Sequence, residues 1–185
     1  MTPKLLALAG SLRAASFNRK LLALAVDRLR AHGAEVDVLD LRDLSVPLYD
    51  GDVETSTGLP PNALSLRDRI RTAHGLVVAS PEYNASVPGT LKNLVDWISR
   101  PPDQPLRGRT MQLLAATSGP GAGRRVLFDW RTIFSALGMF VVPGTVGVPR
   151  AGDAFDDHGA LKDAQMAKQL DTVMATFVDV TRKLA

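Results

Sequence analysis

Three short stretches of this chain are almost continuously apolar, and segments with helical spacing separate them. The three stretches are residues 4–9, 75–79 and 111–116. Such runs are typical of parallel strands that helices cover on both faces. Residues 35–40 instead alternate charged and apolar side chains, which predicts a strand at the edge of the sheet. A fifth strand is predicted over residues 140–142, with a continuation after Pro143 and Gly144 toward Val148.

The segments between these strands predict five helices, at residues 18–31, 62–72, 88–98, 124–136 and 157–184. Alternating strands and helices, without a repeat or a long linker, predict one domain over residues 1–185. The fold class is α/β: a flavodoxin-like three-layer sandwich with a five-stranded parallel sheet of order 2-1-3-4-5. Residues 42–61 are rich in proline and glycine and predict an irregular segment, which either covers a site or partner surface or forms a mobile loop.

Composition narrows the class of protein. The chain has 185 residues, a net charge of +3 and no cysteine. Without cysteine there is no disulfide, thiolate metal site or cysteine nucleophile, and a cytoplasmic protein is the simplest interpretation. The apolar run before Gly10 is too short for a signal peptide or a membrane span. The basic residues are spread along the chain, which favours small anionic ligands over nucleic acid.

The first loop, residues 10–18, joins the first predicted strand to the first predicted helix. It carries hydroxyl, guanidinium and amide groups at the start of that helix. These groups belong to Ser11, Arg13, Ser16 and Asn18. The N-terminus of a helix presents unpaired N–H groups and a positive potential. The first loop therefore predicts a site for a phosphate dianion.

The charge of the first loop supports the phosphate interpretation. Arg13, Arg19 and Lys20 cluster there, and no acidic residue occurs before Asp27. Cations at a helix N-terminus are unfavourable on their own and become favourable around a bound anion. The alternative is that Ser16 only caps the helix and that Arg19 and Lys20 are solvated.

The tyrosine turn, residues 80–89, follows the third predicted strand. It places a carboxylate, an aromatic ring and a carboxamide between two prolines, in the order Pro81, Glu82, Tyr83, Asn84 and Pro88. Open parallel sheets bind ligands at this end of their strands. The peptide groups of residues 82–84 can bond the polar edge of a planar ring, with Tyr83 against the ring or shaping its pocket. The alternative is that Tyr83 merely packs and that Ser86 and Pro88 begin a helix.

The glycine turn, residues 117–123, follows the fourth predicted strand, and its small residues let the backbone approach a ligand closely. One such turn is a weak signal, but three loops at the carboxyl ends of strands one, three and four can converge on one ligand. The first loop lacks the three-glycine dinucleotide fingerprint, and the chain has no Gly-Lys-Ser/Thr phosphate loop. A mononucleotide therefore fits best.

No side chain is predicted to act as a catalytic acid or base. The histidines, His32, His74 and His158, lie away from the three loops. The chain has neither a Gly-x-Ser-x-Gly nor a His-Glu-x-x-His motif, so we predict no metal site and no acyl-transfer machinery. Trp97 and Trp130, each preceded by an aspartate, are expected to pack helices or to line a subunit contact.

The first loop and the tyrosine turn together resemble the NADPH-dependent FMN reductase family, a flavodoxin-like group that includes quinone, chromate and azo-dye reductases. The resemblance covers nearly the whole chain. The motifs that carry it are Gly10-Ser11-Leu12-Arg13 through Ser16-Phe17-Asn18, and Pro81-Glu82-Tyr83-Asn84 with Ser86, Pro88-Gly89, Leu91-Lys92-Asn93 and Asp96-Trp97. In the glycine turn the chain departs from many members, with Gly121-Ala122 in place of adjacent glycines and a stiffening Pro120.

The resemblance implies FMN as cofactor and NADPH or NADH as co-substrate. The first loop would bind the phosphate, the tyrosine turn would hold the flavin and ribityl region, and the glycine turn would approach the ring. The cofactor-binding residues implied are Ser11, Arg13, Ser16, Phe17, Asn18, Pro81, Glu82, Tyr83, Asn84, Ser118 and Gly119. A homodimer or homotetramer with sites near a subunit interface is also implied.

The function expected is an FMN-dependent NAD(P)H oxidoreductase that passes hydride to FMN and then to an acceptor. The acceptor would be a small molecule such as a quinone, an azo compound, chromate or free flavin. Two alternatives stay open at this point. One is a flavin-binding electron carrier or redox sensor with little turnover of its own. The other is a phosphate-ligand binding module without flavin.

Overall fold

A single parallel sheet runs through the centre of the protein. The computed structural model describes residues 1–185. The strands are β1 (Lys4–Ala9), β2 (Glu35–Leu39), β3 (Gly75–Ala79), β4 (Thr110–Ala116), β5 (Phe140–Val141) and β6 (Val146–Val148). Their order is β2-β1-β3-β4-β5, all pairs are parallel, and β6 also pairs with β4. The predicted flavodoxin-like order is therefore confirmed.

The fifth position of the sheet is shared by two short strands. β5 pairs with the beginning of β4, at Thr110 and Met111, and β6 pairs with its end, at residues 114–116. Between them lie Pro143, which has no N–H to donate, and Gly144, whose φ is +84°. The predicted continuation toward Val148 is confirmed, and it brings residues 146–148 to the carboxyl end of the sheet.

Helices cover both faces of the sheet. They are α1 (Phe17–Ala31), α2 (Gly51–Thr57), α3 (Pro61–Thr72), α4 (Gly89–Ile98), α5 (Arg124–Ala136), α6 (Ala151–Ala154) and α7 (Ala164–Leu184), with a 3-10 turn at Leu41–Leu44. The predicted start of the last helix at residue 157 is wrong. The helix begins at Ala164 because the Asp163 side chain accepts from the N–H groups of Gln165 and Met166 and caps it there. None of the helices combines the length and the apolar character that a membrane crossing requires.

The core has two halves, one on each side of the sheet. One half packs α3, α4 and α5 against the sheet, and the other packs α1 and α7 against the opposite face. Successive strand residues alternate between the halves: Leu6 and Leu8 face the first, and Leu5, Ala7 and Ala9 face the second. This arrangement is the three-layer sandwich that the apolar strands predict.

Residues 42–61 are more ordered than predicted, since they contain α2 and part of the 3-10 turn. The segment is fastened to α4. The Trp97 indole N–H and the Asn93 amide both donate to the Pro47 carbonyl at 2.8 Å, and the Tyr49 ring lies edge-on to Trp97 at 5.0 Å. Trp97 is fully buried. The expected packing role of Trp97 is confirmed, and the partner of its indole N–H is this segment.

Candidate functional site

A cleft of about 500 Å³ lies where β1, β3 and β4 end. The first loop, the tyrosine turn and the glycine turn all contribute to its walls. Of the residues predicted to bind a cofactor, the structure brings together Ser11, Arg13, Ser16, Phe17, Asn18, Pro81, Glu82, Tyr83, Ser118 and Gly119. Asn84 is the exception, since it does not line the cleft. The three loops therefore meet at one site, as their positions after parallel strands require.

The N-terminus of α1 opens into this cleft. Ser16 caps the helix, with its hydroxyl accepting from the Arg19 N–H at 3.3 Å. The first turn contains no acidic residue. The N–H groups of Phe17 and Asn18 have no partner within the helix because they belong to its first turn. These donors and the positive end of the helix dipole face whatever occupies the cleft.

The cations near this helix end have separate roles. The Arg13 guanidinium is exposed and takes part in no ion pair or side-chain hydrogen bond of the chain. Arg19 instead pairs with Asp40, at the end of β2, and Lys20 lies 5.9 Å above the Phe155 ring. The prediction that the whole cluster awaits an anion is therefore wrong for Arg19, because a carboxylate distant in sequence already neutralises it. Of these three residues, Arg13 is the cation left to the cleft.

Asp40 is stabilised as a carboxylate. The backbone N–H of Arg42 donates to it at 3.0 Å, and the Arg19 guanidinium lies against it. The Arg42 N–H and the Arg19 charge together hold the pKa of Asp40 below its ordinary value of 3.8, although burial acts in the opposite direction. The Arg19–Asp40 pair is therefore charged at neutral pH and ties α1 to the end of β2.

The Asn18 side chain is committed to the fold. Its amide nitrogen donates to the carbonyl of Ala116 and its amide oxygen accepts from the N–H of the same residue, both at 2.8 Å. Asn18 is buried. The sequence predicts that this amide binds a phosphate, whereas in the structure it connects α1 to the last residue of β4. The amide oxygen of Asn18 is used within the fold, and the backbone N–H is left for a ligand.

The tyrosine turn forms a two-residue hairpin. The N–H of Tyr83 donates to the carbonyl of Ser86 at 3.1 Å, and the N–H of Ser86 donates to the carbonyl of Tyr83 at 3.0 Å. Asn84 and Ala85, between them, have φ angles of +50° and +64°. The Tyr83 ring is 43% exposed beside the cleft. Because the Tyr83 N–H is used within the hairpin, a ligand can take N–H donors only from Glu82 and Asn84 in the predicted set.

The Glu82 carboxylate points toward α5. One oxygen accepts from the N–H of Val126 at 3.4 Å, and the other lies 3.7 Å from the Arg125 guanidinium. Gly123, which caps α5, has no side chain with which to bond the first-turn N–H groups. Glu82 therefore supplies a cap from another loop and joins the tyrosine turn to the start of α5.

The glycine turn leaves open space on its side of the cleft. A Cβ atom at Gly119 or Gly121 would meet no atom within 4 Å, so no side chain fills the space beside these residues. Gly123 is different: its φ is +67°, and a Cβ there would lie 2.5 Å from the Ala115 side chain. The turn is also bonded to β6, because the backbone N–H of Thr117 donates to the carbonyl of Val148 at 3.0 Å.

Five residues line the cleft that were not among the predicted binding residues: Ala116, Thr117, Pro120, Gly121 and Arg125. All of them belong to the end of β4, the glycine turn or the start of α5. The glycine-rich sequence after β4 is the signal that could have found them. Arg125 adds a second guanidinium to the walls, exposed apart from its contact with Glu82.

Comparisons with known proteins identify the family of the chain. The family model described as NADPH-dependent FMN reductase matches residues 3–153. A quinone reductase of Escherichia coli is 40% identical over 136 residues, which are 73% of this chain and 71% of that protein. An NAD(P)H-dependent FMN reductase of Pseudomonas aeruginosa is 37% identical over 161 residues, 86% of this chain and 85% of the relative.

Solved structures share the fold. The flavoenzyme NAD(P)H:(acceptor) oxidoreductase FerB of Paracoccus denitrificans superposes with a TM-score of 0.84 at 24% identity, covering 98% of both chains. RosB, solved with a bound derivative of riboflavin 5′-phosphate, superposes with a TM-score of 0.81 at 20% identity, covering 99% of this chain and 80% of its own. At these identities the likeness shows the architecture alone.

Proposed function

We propose that this chain, which belongs to the NADPH-dependent FMN reductase family, is an FMN-dependent NAD(P)H oxidoreductase. It takes hydride from NADPH or NADH and delivers it to a quinone or to another small acceptor such as an azo compound, chromate or free flavin. One observation carries the proposal: a single cleft joins an unpaired cation at a helix N-terminus to an exposed tyrosine at a hairpin. The first end suits a phosphate and the second suits a flat aromatic ring.

The phosphate end has the donors that a dianion requires. Ser11 and Ser16 place buried hydroxyls there, and the N–H groups of Phe17 and Asn18, at the start of α1, are unpaired. Arg13 has no competing carboxylate in the chain. We assign the FMN phosphate to these groups, with Asn18 contributing its backbone N–H and Phe17 packing beside them against Phe155, 6.3 Å between ring centroids.

The ring end has walls that fit the remainder of FMN. The cleft volume is within the range of small-molecule sites, which is roughly 300 to 1,000 Å³. Pro81 and Tyr83 form one wall, Ser118 and Gly119 form the other, and the glycines leave the opening wide. Asn84, which lies outside the lining, can contribute through its backbone N–H. The size of the cleft and the chemistry of its lining therefore fit FMN.

Bound FMN would supply reversible acceptance and donation of hydride, and the protein would supply orientation and electrostatics. The positive end of α1 and Arg13 anchor the tail. The N–H groups of Glu82 and Asn84 donate toward the polar edge of the ring, where negative charge is best stabilised by fixed donors. The Glu82 carboxylate stays with α5 and Arg125, which keeps it from competing for those donors. No side-chain base is required.

The open side of the cleft can admit the hydride donor and the acceptor one after the other. The residues on this side are all exposed: Tyr83, Ser118, Gly119 and Gly121. A flat nicotinamide ring and a flat quinone ring would therefore reach bound FMN from the same side of the cleft. One shared face favours a ping-pong scheme, in which the donor leaves before the acceptor enters. Wide access also favours a range of acceptors, because few side chains discriminate between them.

We also propose that the protein acts as a homodimer or homotetramer. Two large apolar side chains support this, since Leu48 is 84% exposed and Phe128 is 69% exposed. Burial of these side chains against a partner subunit would stabilise the assembly. Sedimentation equilibrium at micromolar concentration should give a multiple of the 19.8 kDa chain mass. A monomer at every concentration would contradict the proposal.

Two measurements test the function. Purified protein titrated with FMN should quench the flavin fluorescence and show a bound-flavin absorption spectrum, and protein that does neither would be a phosphate-ligand module instead. The loaded protein should then oxidise NADPH or NADH in the steady state with a quinone present. A yellow protein that oxidises no nicotinamide with any acceptor would be an electron carrier or sensor.

A further inference from the structure

The hairpin of the tyrosine turn holds a backbone conformation that its sequence does not favour. Positive φ at both central residues is the pattern of a type I′ turn, for which Asn-Gly is the preferred pair. Here the pair is Asn84 and Ala85, with Ala85 at φ +64°. Alanine in the left-handed region is strained because its Cβ crowds the following carbonyl. The turn persists only if contacts outside it offset this strain.

Those contacts come from one face of α5. The Asp129 carboxylate accepts from the Ser86 hydroxyl at 2.7 Å, and the Trp130 indole N–H donates to the Ser80 hydroxyl at 2.8 Å. The Val126 N–H donates to Glu82, as described above. Positions 126, 129 and 130 are spaced by three and four residues, so they share one side of the helix. The turn is therefore bonded to α5 at three of its residues, Ser80, Glu82 and Ser86.

Asp129 makes the contact closest to the strained residue. Ser86 closes the hairpin immediately after Ala85, and its hydroxyl is bonded to a charged acceptor, which is stronger than a neutral one. Asp129 forms no ion pair and does not line the cleft. Neither a charge partner nor a ligand contact accounts for it. Its one hydrogen-bond partner is the hairpin.

We propose that Asp129 is a positioning residue that, through Ser86, holds the Tyr83 hairpin at the mouth of the cleft. α5 also begins directly after the glycine turn, so the same helix fixes both walls of the ring end. The part of the proposal that concerns FMN rests on the proposed function. The order of the hairpin does not, and it can be measured in the protein without flavin.

Amide hydrogen exchange of the apo protein tests the hairpin directly. The amides of Tyr83 and Ser86 are hydrogen-bonded to each other's carbonyls, and their exchange reports opening of the hairpin. We expect Asp129→Ala and Ser86→Ala each to speed exchange at these amides about tenfold or more, because a bond to a charged acceptor is lost. The double variant should show little further increase, since both changes remove the same bond. Asp129→Asn, which keeps an acceptor oxygen, should have a smaller effect.

Thr132→Ala is the matched control on α5, since it removes an exposed bond to the Phe128 carbonyl at 3.2 Å and Thr132 forms no hydrogen bond with the turn. It should leave Tyr83 and Ser86 unchanged. The proposal is overturned if Asp129→Ala leaves the exchange of both amides unchanged. It is equally overturned if exchange rises uniformly over α5 and β4, because Asp129 would then only stabilise the helix.

Relief of the strain supplies a rescue. Ala85→Gly creates the favoured Asn-Gly pair, so adding it to Asp129→Ala should return the exchange of Tyr83 and Ser86 toward the wild-type rate. In the loaded protein, Asp129→Ala should weaken FMN binding several-fold and the rescued double variant should recover it. If the wild-type chain binds no FMN, the proposed function fails, and the exchange data alone then decide the role of Asp129.

Discussion

The two ends of the cleft are built in different ways. At the phosphate end, the donors are the N–H groups of Phe17 and Asn18, which ordinary helical geometry leaves unpaired at the start of α1, and Ser16 caps the helix in an unstrained conformation. At the ring end, the hairpin contains Ala85 in a left-handed conformation and is bonded to α5 from outside. The donors of the first end follow from local sequence, whereas the second end depends on Asp129, a residue of α5 that lies 43 positions after Ser86.

The largest effect should come from the residue that ties the phosphate end to the sheet. Asn18→Ala leaves both backbone groups of Ala116 without their buried partner. We expect a loss of about 2 to 4 kcal/mol in the free energy of unfolding, since each unsatisfied buried group costs about 1 to 3 kcal/mol. Denaturant unfolding of the apo protein measures it.

Asn62→Ala is the control for this change, because its amide donates to the Ser45 carbonyl at an exposed position. Its loss should be about 1 kcal/mol or less. If Asn18→Ala costs no more than Asn62→Ala, the clamp between α1 and β4 is not a major support of the phosphate end, and the contrast with the externally held hairpin weakens.

The next effect concerns the free guanidinium. Arg13→Ala should weaken FMN binding by about 1.5 to 3 kcal/mol, roughly ten- to a hundredfold, because a charge-assisted bond to phosphate is lost. Riboflavin, which lacks the phosphate, should bind both proteins equally. Fluorescence titration measures both ligands.

Arg19→Ala is the matched control, since Arg19 is occupied by Asp40. It should leave the FMN affinity within about twofold of wild type, a difference of well under 1 kcal/mol. If Arg19→Ala weakens FMN binding as much as Arg13→Ala does, the phosphate end senses the general charge of the region and the division of roles between these arginines is wrong.

The sheet was predictable from sequence because strand burial leaves a direct pattern. Residues 4–9, 75–79 and 111–116 are apolar on both faces, and the strand order follows from them. The three loops were predictable as a group because parallel strands end at the same edge. The short helix at residues 51–57 was missed, since its sequence Gly-Asp-Val-Glu-Thr-Ser-Thr buries nothing and shows no apolar face.

The roles of individual polar side chains were less predictable. Nothing local to Asn18 shows that its amide meets Ala116, 98 residues away in sequence. The same holds for Arg19 and Asp40, whose pairing depends on the adjacency of β1 and β2. Asn18 and Arg19 both have the chemistry of a phosphate ligand, and only tertiary contacts show that their side chains are already used. The ring end depends on such contacts as well, since Glu82 and Ser86 bond to α5 and neither contact was predicted.

A smaller effect should come from the Arg19–Asp40 pair. Asp40 has a lowered pKa in the folded state, so its contribution is fully present above its ordinary value of 3.8 and is lost as the pH falls below that value toward the folded-state pKa. Asp40→Asn should therefore cost stability at pH 7, by about 1 kcal/mol or less because the pair is about one-third exposed, with side-chain exposures of 30% and 32%.

Unfolding free energies at pH 7 and at pH values below about 3.8 test the sign. The difference between wild type and Asp40→Asn should shrink as the pH is lowered. A difference that stays constant or grows would show that Asp40 acts through packing and not as a carboxylate, and the anchoring of α1 would then not be electrostatic.

The smallest effect sharpens the contrast most directly. Ala85→Gly should stabilise the protein by about 0.5 kcal/mol. Relief of a left-handed alanine contributes roughly 1 to 2 kcal/mol, and the greater freedom of glycine in the unfolded chain opposes it by about 0.4 to 1 kcal/mol.

Ala15→Gly is the control for this change. Ala15 lies in the exposed first loop without a positive φ, so the change has no strain to relieve and should be slightly destabilising. Opposite signs for these two alanines, measured by denaturant unfolding, would show that strain is confined to the ring end. Equal signs would remove the distinction between a phosphate end set by local geometry and a ring end held in place by α5.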